Sequence, residues 1–173
     1  RFWVGTMQNN ISPQATDIEI VENSGSLYCI NQDLSFSKLE DNIGISNTVV
    51  WSPDSKKFYF TDTLTGIINS YDCNIEEGSI SNKKFFAKHE RGFPDGATVD
   101  SDGFLWSCRF GGSCVVRFDP NGKVDEIIEL PAENITSCAF GGSDLKTLFI
   151  TTATWGMSKE QIKQKPESGG LFA

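Results

Sequence analysis

Phe58-Tyr-Phe-Thr-Asp-Thr63, followed by Gly66-Ile-Ile-Asn-Ser-Tyr-Asp72, decides how this chain is read. Both runs are short and rich in aromatic and β-branched residues, and a glycine marks the turn between them, which is the pattern of a β-hairpin. The pattern returns at Leu105-Trp-Ser-Cys-Arg-Phe110 with Gly112-Ser-Cys-Val-Val-Arg-Phe-Asp119, again closing on an aromatic residue and Asp. A third copy begins at Leu148-Phe-Ile-Thr-Thr-Ala153 and resumes at Gly169-Gly-Leu-Phe172. A degraded earlier copy is Phe2-Trp-Val-Gly-Thr-Met7 with Gly25-Ser-Leu-Tyr-Cys-Ile30, its strands separated by the polar insert Gln8 to Glu22. A repeat of roughly 45 residues built on hairpins is the signature of a β-propeller blade.

The segments between hairpins supply each blade's remaining strands. Asn47 to Ser52, Asp95 to Asp100 and Thr136 to Phe140 sit at equivalent places, ahead of the Phe58, Leu105 and Leu148 runs. They read as innermost strands whose first residues face a central channel. Lys83 to Ala87 and Asp125 to Leu130 read as outer strands, where charge protects an exposed edge. Helical periodicity is confined to Ser158 to Lys165, with Ser158 as N-cap. The expected fold is therefore all-β, a β-propeller of roughly four blades, with residues 1–173 forming a single partial domain.

Formal net charge is −8, which repels phosphate backbones and argues against nucleic acid as a partner. No apolar run reaches the ~20 residues that span a bilayer. The five cysteines, Cys29, Cys73, Cys108, Cys114 and Cys138, include no C-x-x-C. They read as buried reduced thiols, all but Cys73 in strand-like runs, which favours a cytoplasmic location. Asn10-Ile-Ser12 and Asn134-Ile-Thr136 are formal glycosylation sequons, both discounted as chance matches, the second also because it abuts an inner strand. The chain opens directly on a strand, as a fragment lacking its N-terminal blades would. An open ring exposes two sheet faces, which favours self-association.

Two inner segments carry the candidate chemistry. Asn47-Thr-Val-Val-Trp-Ser-Pro-Asp54 and Asp95-Gly-Ala-Thr-Val-Asp-Ser-Asp102 each start with an oxygen-bearing side chain. If the blades fan about one axis, Asn47 and Asp95 point at the same spot and form hard ligands for a cation. The same residues are also ordinary turn formers. Asp62 and Asp100 read as turn carboxylates, and Trp3, Trp51 and Trp106 as blade core. Thr6, Met7 and Trp155 fall near the expected substrate side of the channel. His89, the only histidine, lies in a charged segment read as exposed, and no Gly-x-Ser-x-Gly accompanies it, so nucleophilic serine chemistry has no apparatus here.

In order along the chain stand Gly5-Thr-Met7, Asn47 with Trp51-Ser-Pro-Asp54, Asp62, Pro94-Asp-Gly96, Gly103-Phe-Leu-Trp106, Asp119-Pro120, Leu130-Pro131, Thr136-Ser-Cys-Ala-Phe-Gly-Gly142 and Gly169-Gly-Leu-Phe172. With these motifs the chain resembles the SMP-30/gluconolactonase/regucalcin family, which includes luciferin-regenerating-enzyme-like members. The resemblance implies a six-bladed propeller that hydrolyses sugar lactones around one divalent cation, whether Ca²⁺, Zn²⁺, Mg²⁺ or Mn²⁺. It implies Asn47 and Asp95 as metal ligands, with Asp95 also the general base. The family's Glu ligand, and an Arg and an Asn that hold substrate, have no counterparts in this sequence. A non-enzymatic calcium-binding or partner-binding scaffold, and an inactive piece of a lactonase, are the alternative expectations.

Overall fold

Strands that pack on both faces need apolar residues at nearly every position, and those continuous runs are what the sequence shows. The structure, a computed structural model, describes residues 1–8 and 20–173. The first sheet holds β1 (Phe2–Gly5), β2 (Gly25–Ile30) and β3 (Phe36–Ile43). The second holds β4 (Ser46–Trp51), β5 (Lys57–Asp62), β6 (Ile67–Asn74) and β7 (Ser79–Lys88). In the third are β8 (Phe93–Val99), β9 (Leu105–Phe110), β10 (Cys114–Phe118) and β11 (Val124–Glu129). The fourth contains β12 (Asn134–Gly141), β13 (Thr147–Ala153) and β14 (Leu171–Phe172). Every pairing is antiparallel between chain neighbours, which is the meander of a propeller blade.

Three apolar cores lie between successive sheets. Phe58 and Phe60 of β5 join Trp3, Leu27 and Cys29 of the first sheet, whereas Tyr59 between them joins Leu105, Val116 and Phe118 of the third. In β10, Val116 faces the second sheet and Val115 faces Ile135, Cys138 and Ile150 of the fourth. One strand thus feeds two cores by its period-2 alternation. The outer strands β3, β7 and β11 touch mainly their own sheets and carry the charges. The inner strands touch across sheets: β8 lies against both β4 and β12, and β1 contacts β4.

The blade readings hold, with differences in detail. β1 stops at Gly5, so Thr6 and Met7 lie beyond it. Cys73 is in strand β6, not in a loop, and is half-buried; the other four cysteines are buried, and all five are free thiols. β3 has no counterpart in the sequence reading, because the inward positions of Phe36-Ser-Lys-Leu-Glu-Asp-Asn-Ile43 do not alternate. The helix α1 (Lys159–Gln164) starts at Ser158 with a full capping box to Gln161. The Asn10 sequon and most of the Gln8–Glu22 insert lie outside the described residues. Asn134 is only 3% exposed; its amide donates to the Trp155 carbonyl and its oxygen accepts from Gly111. Among the described residues no helix is long and apolar enough to cross a membrane.

Candidate functional site

The starts of β4, β8 and β12 and the ends of β1, β5, β9 and β13 meet at one end of the sheet assembly. At that end three of the inner strands, β4, β8 and β12, carry an irregularity, whereas β1 keeps its register. Register shifts between Asn47 and Val50 in β4, between Pro94 and Ala97 in β8, and between Ile135 and Ser137 in β12. A bulge bends its strand and re-aims a side chain, and bulges recur beside functional sites. Here the three bulges contain Asn47, Asp95 and Thr136, the positions that the repeat aligns.

Hydroxyls tie the first two bulges together. Thr48 Oγ1 donates to the Asp95 carbonyl at 2.8 Å. Thr63 Oγ1 donates to the Pro94 carbonyl at 2.8 Å and accepts from Asn47 Nδ2 at 2.9 Å. Thr48 is 1% exposed and holds φ at +53°. That conformation is unusual for a β-branched residue and marks local strain at the bulge. Close approach is built in as well: a Cβ on Gly96 would sit 2.6 Å from Ser137 Oγ and 2.8 Å from the Thr136 carbonyl. On the other side Ser46 Oγ donates to the Thr6 carbonyl at 2.9 Å, and a Cβ on Gly5 would collide with Ser46.

Asp95 is desolvated. It is half-buried and makes no ion pair among the described residues. Burial pushes its carboxyl up to about 6, against only the Gly96 amide, which favours the ionised form. A desolvated carboxylate without an ion-pair partner is a functional-site signature. Asn47, also half-buried, spends its amide hydrogen on Thr63, and its Oδ1 accepts no hydrogen bond among the described residues. The Asp95 carboxylate, with only the Gly96 amide, and the Asn47 Oδ1, with no donor among the described residues, are oxygen ligands on adjoining inner strands that fit a hard divalent cation. They are fewer than such an ion needs, and no cluster of three His, Cys, Asp or Glu side chains occurs among the described residues.

The other carboxylates are committed elsewhere. Asp62 caps the short 3-10 turn Thr63–Thr65, accepting from Gly44 and Ile45 amides at 3.0 Å each and from Leu64 at 3.2 Å. Asp100 accepts from Phe104 N, Trp106 Nε1 and Arg117 at the far turn. His89 is half-buried rather than exposed; its Nδ1 accepts from the Arg91 amide and its carbonyl from Arg109. Thr6 and Met7 are exposed just past β1, and Trp155 follows β13 with its carbonyl bonded to Asn134. All three are at the same end as Asn47 and Asp95. The sequence reading missed Thr48 and Thr63. Their adjacency to Asn47 and Asp62 was the available signal, but the carbonyls they reach lie on another blade.

Residues 1–154 match the SMP-30/Gluconolactonase/LRE-like region, and the chain belongs to this family. It is 38% identical to a regucalcin of Danio rerio over 99% of this chain and 57% of that protein. It therefore spans little more than half the length of that relative. A calcium-binding protein, regucalcin, from Agrobacterium tumefaciens superposes with a TM-score of 0.87 at 27% identity, covering 98% of this chain and 55% of that one. A gluconolactonase from Xanthomonas campestris superposes with a TM-score of 0.71 at 27% identity, over 86% and 49% of the two chains. The fold is that of these β-propellers, of which this chain accounts for about half.

Proposed function

We propose that this chain supplies the Asn47 and Asp95 side of a divalent-cation centre at which the full-length protein hydrolyses sugar lactones. The half-buried Asp95 carboxylate, free of any ion pair among the described residues and on the strand adjoining that of Asn47, carries this reading. Family membership supports the reaction class, and the gluconolactonase likeness supports a sugar lactone as substrate. A divalent cation bound there polarises a carbonyl and acidifies water.

The chain's own groups do the rest. Without a cation, burial raises the Asp95 carboxyl to about 6, so at neutral pH it is ionised and able to bind one; a bound cation would lower that value. Asp95 accepts the proton of the water that attacks the lactone carbonyl. Asn47 contributes a neutral amide oxygen, which leaves the site less negative than a second carboxylate would. Thr6, Met7 and Trp155 border the mouth and contact the sugar. Carboxylate and amide oxygens suit Ca²⁺, Mg²⁺ or Mn²⁺, and accept Zn²⁺.

A second reading, calcium binding without turnover, draws on the likeness to the Agrobacterium calcium-binding protein. The test is hydrolysis of gluconolactone by the full-length protein with and without EDTA. EDTA-sensitive turnover that Asp95→Ala abolishes supports the lactonase. Metal uptake with no turnover on any sugar lactone favours the second reading, and EDTA-insensitive turnover contradicts both.

A further inference from the structure

We infer that Thr63 is a positioning residue that fixes which end of the Asn47 amide faces the proposed ion. The inference rests on the reading of Asn47 as a ligand, and its argument is one of proton counting. The Pro94 carbonyl has no hydrogen to give, so in the 2.8 Å contact the Thr63 hydroxyl is the donor. A hydroxyl has one hydrogen. With that hydrogen on Pro94, Thr63 Oγ1 meets Asn47 only as an acceptor, and Asn47 presents Nδ2 at 2.9 Å. The flipped amide would set Oδ1 against an oxygen with no proton to share. The oxygen end of Asn47 is thereby turned away from Thr63 and kept available.

Thr63 is itself held firmly. Its amide donates to the Ile45 carbonyl at 2.9 Å. Asp62 caps the turn it opens, and Gly66, at φ +69°, closes that turn. Thr63 is 9% exposed, so water does not readily replace either partner. The hydroxyl bridges two blades, binding Asn47 of β4 and Pro94 of β8, next to Asp95. One group therefore sets both the polarity of the amide and the distance between the two candidate ligands. A partner behind a metal ligand commonly changes affinity by about 10–100-fold when removed.

The test compares Thr63→Val, which keeps shape but has no hydroxyl, with Thr63→Ser, which restores it. Asp100→Asn, at the opposite end of the sheets, serves as a control of lowered stability. Two readouts are taken: the Mn²⁺ dissociation constant, and hydrogen exchange at the Asn47 side-chain amide in ¹⁵N-labelled, metal-free protein. Expected are a rise of at least about tenfold in the Mn²⁺ dissociation constant for Thr63→Val, recovery in Thr63→Ser, and no change in Asp100→Asn. One Asn47 amide proton should also be protected in the wild type and Thr63→Ser but not in Thr63→Val. Wild-type Mn²⁺ affinity in Thr63→Val overturns the inference. If the wild type takes up no Mn²⁺, the ligand reading fails by itself, and the amide then decides: equal exchange in wild type and Thr63→Val overturns the orientation, unequal exchange upholds it.

Discussion

Thr48 gives its hydroxyl hydrogen to the backbone carbonyl of Asp95, 47 residues further along the chain, across the seam between two sheets. The bond crosses from one bulge to the other and so sets how the two candidate ligands face each other. Thr48→Val keeps the shape and the strained backbone but leaves a carbonyl without its donor. We expect a loss of about 1–3 kcal/mol, read as a lower urea midpoint with an unchanged slope. A variant as stable as the wild type would mean that the carbonyl finds another donor and that the seam does not depend on this contact.

Asp95 should make metal-free stability fall as pH rises. Its folded pKa, about 6, lies above the ordinary value of 3.8. The folded state therefore holds the proton more tightly than the unfolded state, and stability attributable to this group declines between about pH 4 and pH 6. Asp95→Asn removes that decline. In chelator at pH 7 it should be about 1–2 kcal/mol more stable than the wild type while losing lactone turnover. Urea titrations of both proteins across this range check the claim; parallel curves would contradict it.

Arg109 is buried without a carboxylate partner among the described residues. It donates to the carbonyls of Arg91 at 2.9 Å, His89 at 2.9 Å and Gly92 at 3.0 Å. Burial pulls its pKa down to about 10, so it stays charged. These bonds pin the segment that leads into β8. Arg109→Met strands three carbonyls and should cost about 2–4 kcal/mol, measured by urea unfolding. It should also speed amide exchange at residues 89–92.

At the other end of β8, Asp100 links Arg117 at 2.7 Å and the Trp106 indole at 2.9 Å, and Arg117 lies over the Phe104 ring. Asp100→Asn should lower stability by about 1–3 kcal/mol. It should leave Mn²⁺ affinity and the Michaelis constant for lactone unchanged, because the perturbation is confined to the turn opposite the site. A weakened Mn²⁺ affinity would show that the two ends are coupled.

The sheets were legible because a propeller strand is buried on both faces, so runs such as Phe58-Tyr-Phe60 announce themselves. The helix was legible through its N-cap Ser158, whose hydrogen bonding to Gln161 is local. β3 was not, because only Leu39, Glu40 and Ile43 of Phe36–Ile43 turn inward, and its pairing with β2 is shifted in register, so no period-2 alternation survives. His89 looked exposed from its charged neighbours, yet its backbone is drawn inward by Arg109, a contact between distant residues. Asn47 and Asp95 were singled out by their place in the repeat. The bulges that re-aim them, and the threonines that join them, depend on which carbonyl of a neighbouring blade comes within reach, which no local pattern encodes.

The most direct test of the shared site is an anomalous difference map from crystals soaked in Mn²⁺. The account predicts one peak within about 2.0–2.6 Å of both the Asn47 amide oxygen and the Asp95 carboxylate. That peak should be absent in Asp95→Asn. A Mn²⁺ peak that touches neither residue, or side chains of Asn47 and Asp95 that point to different cavities, would contradict it.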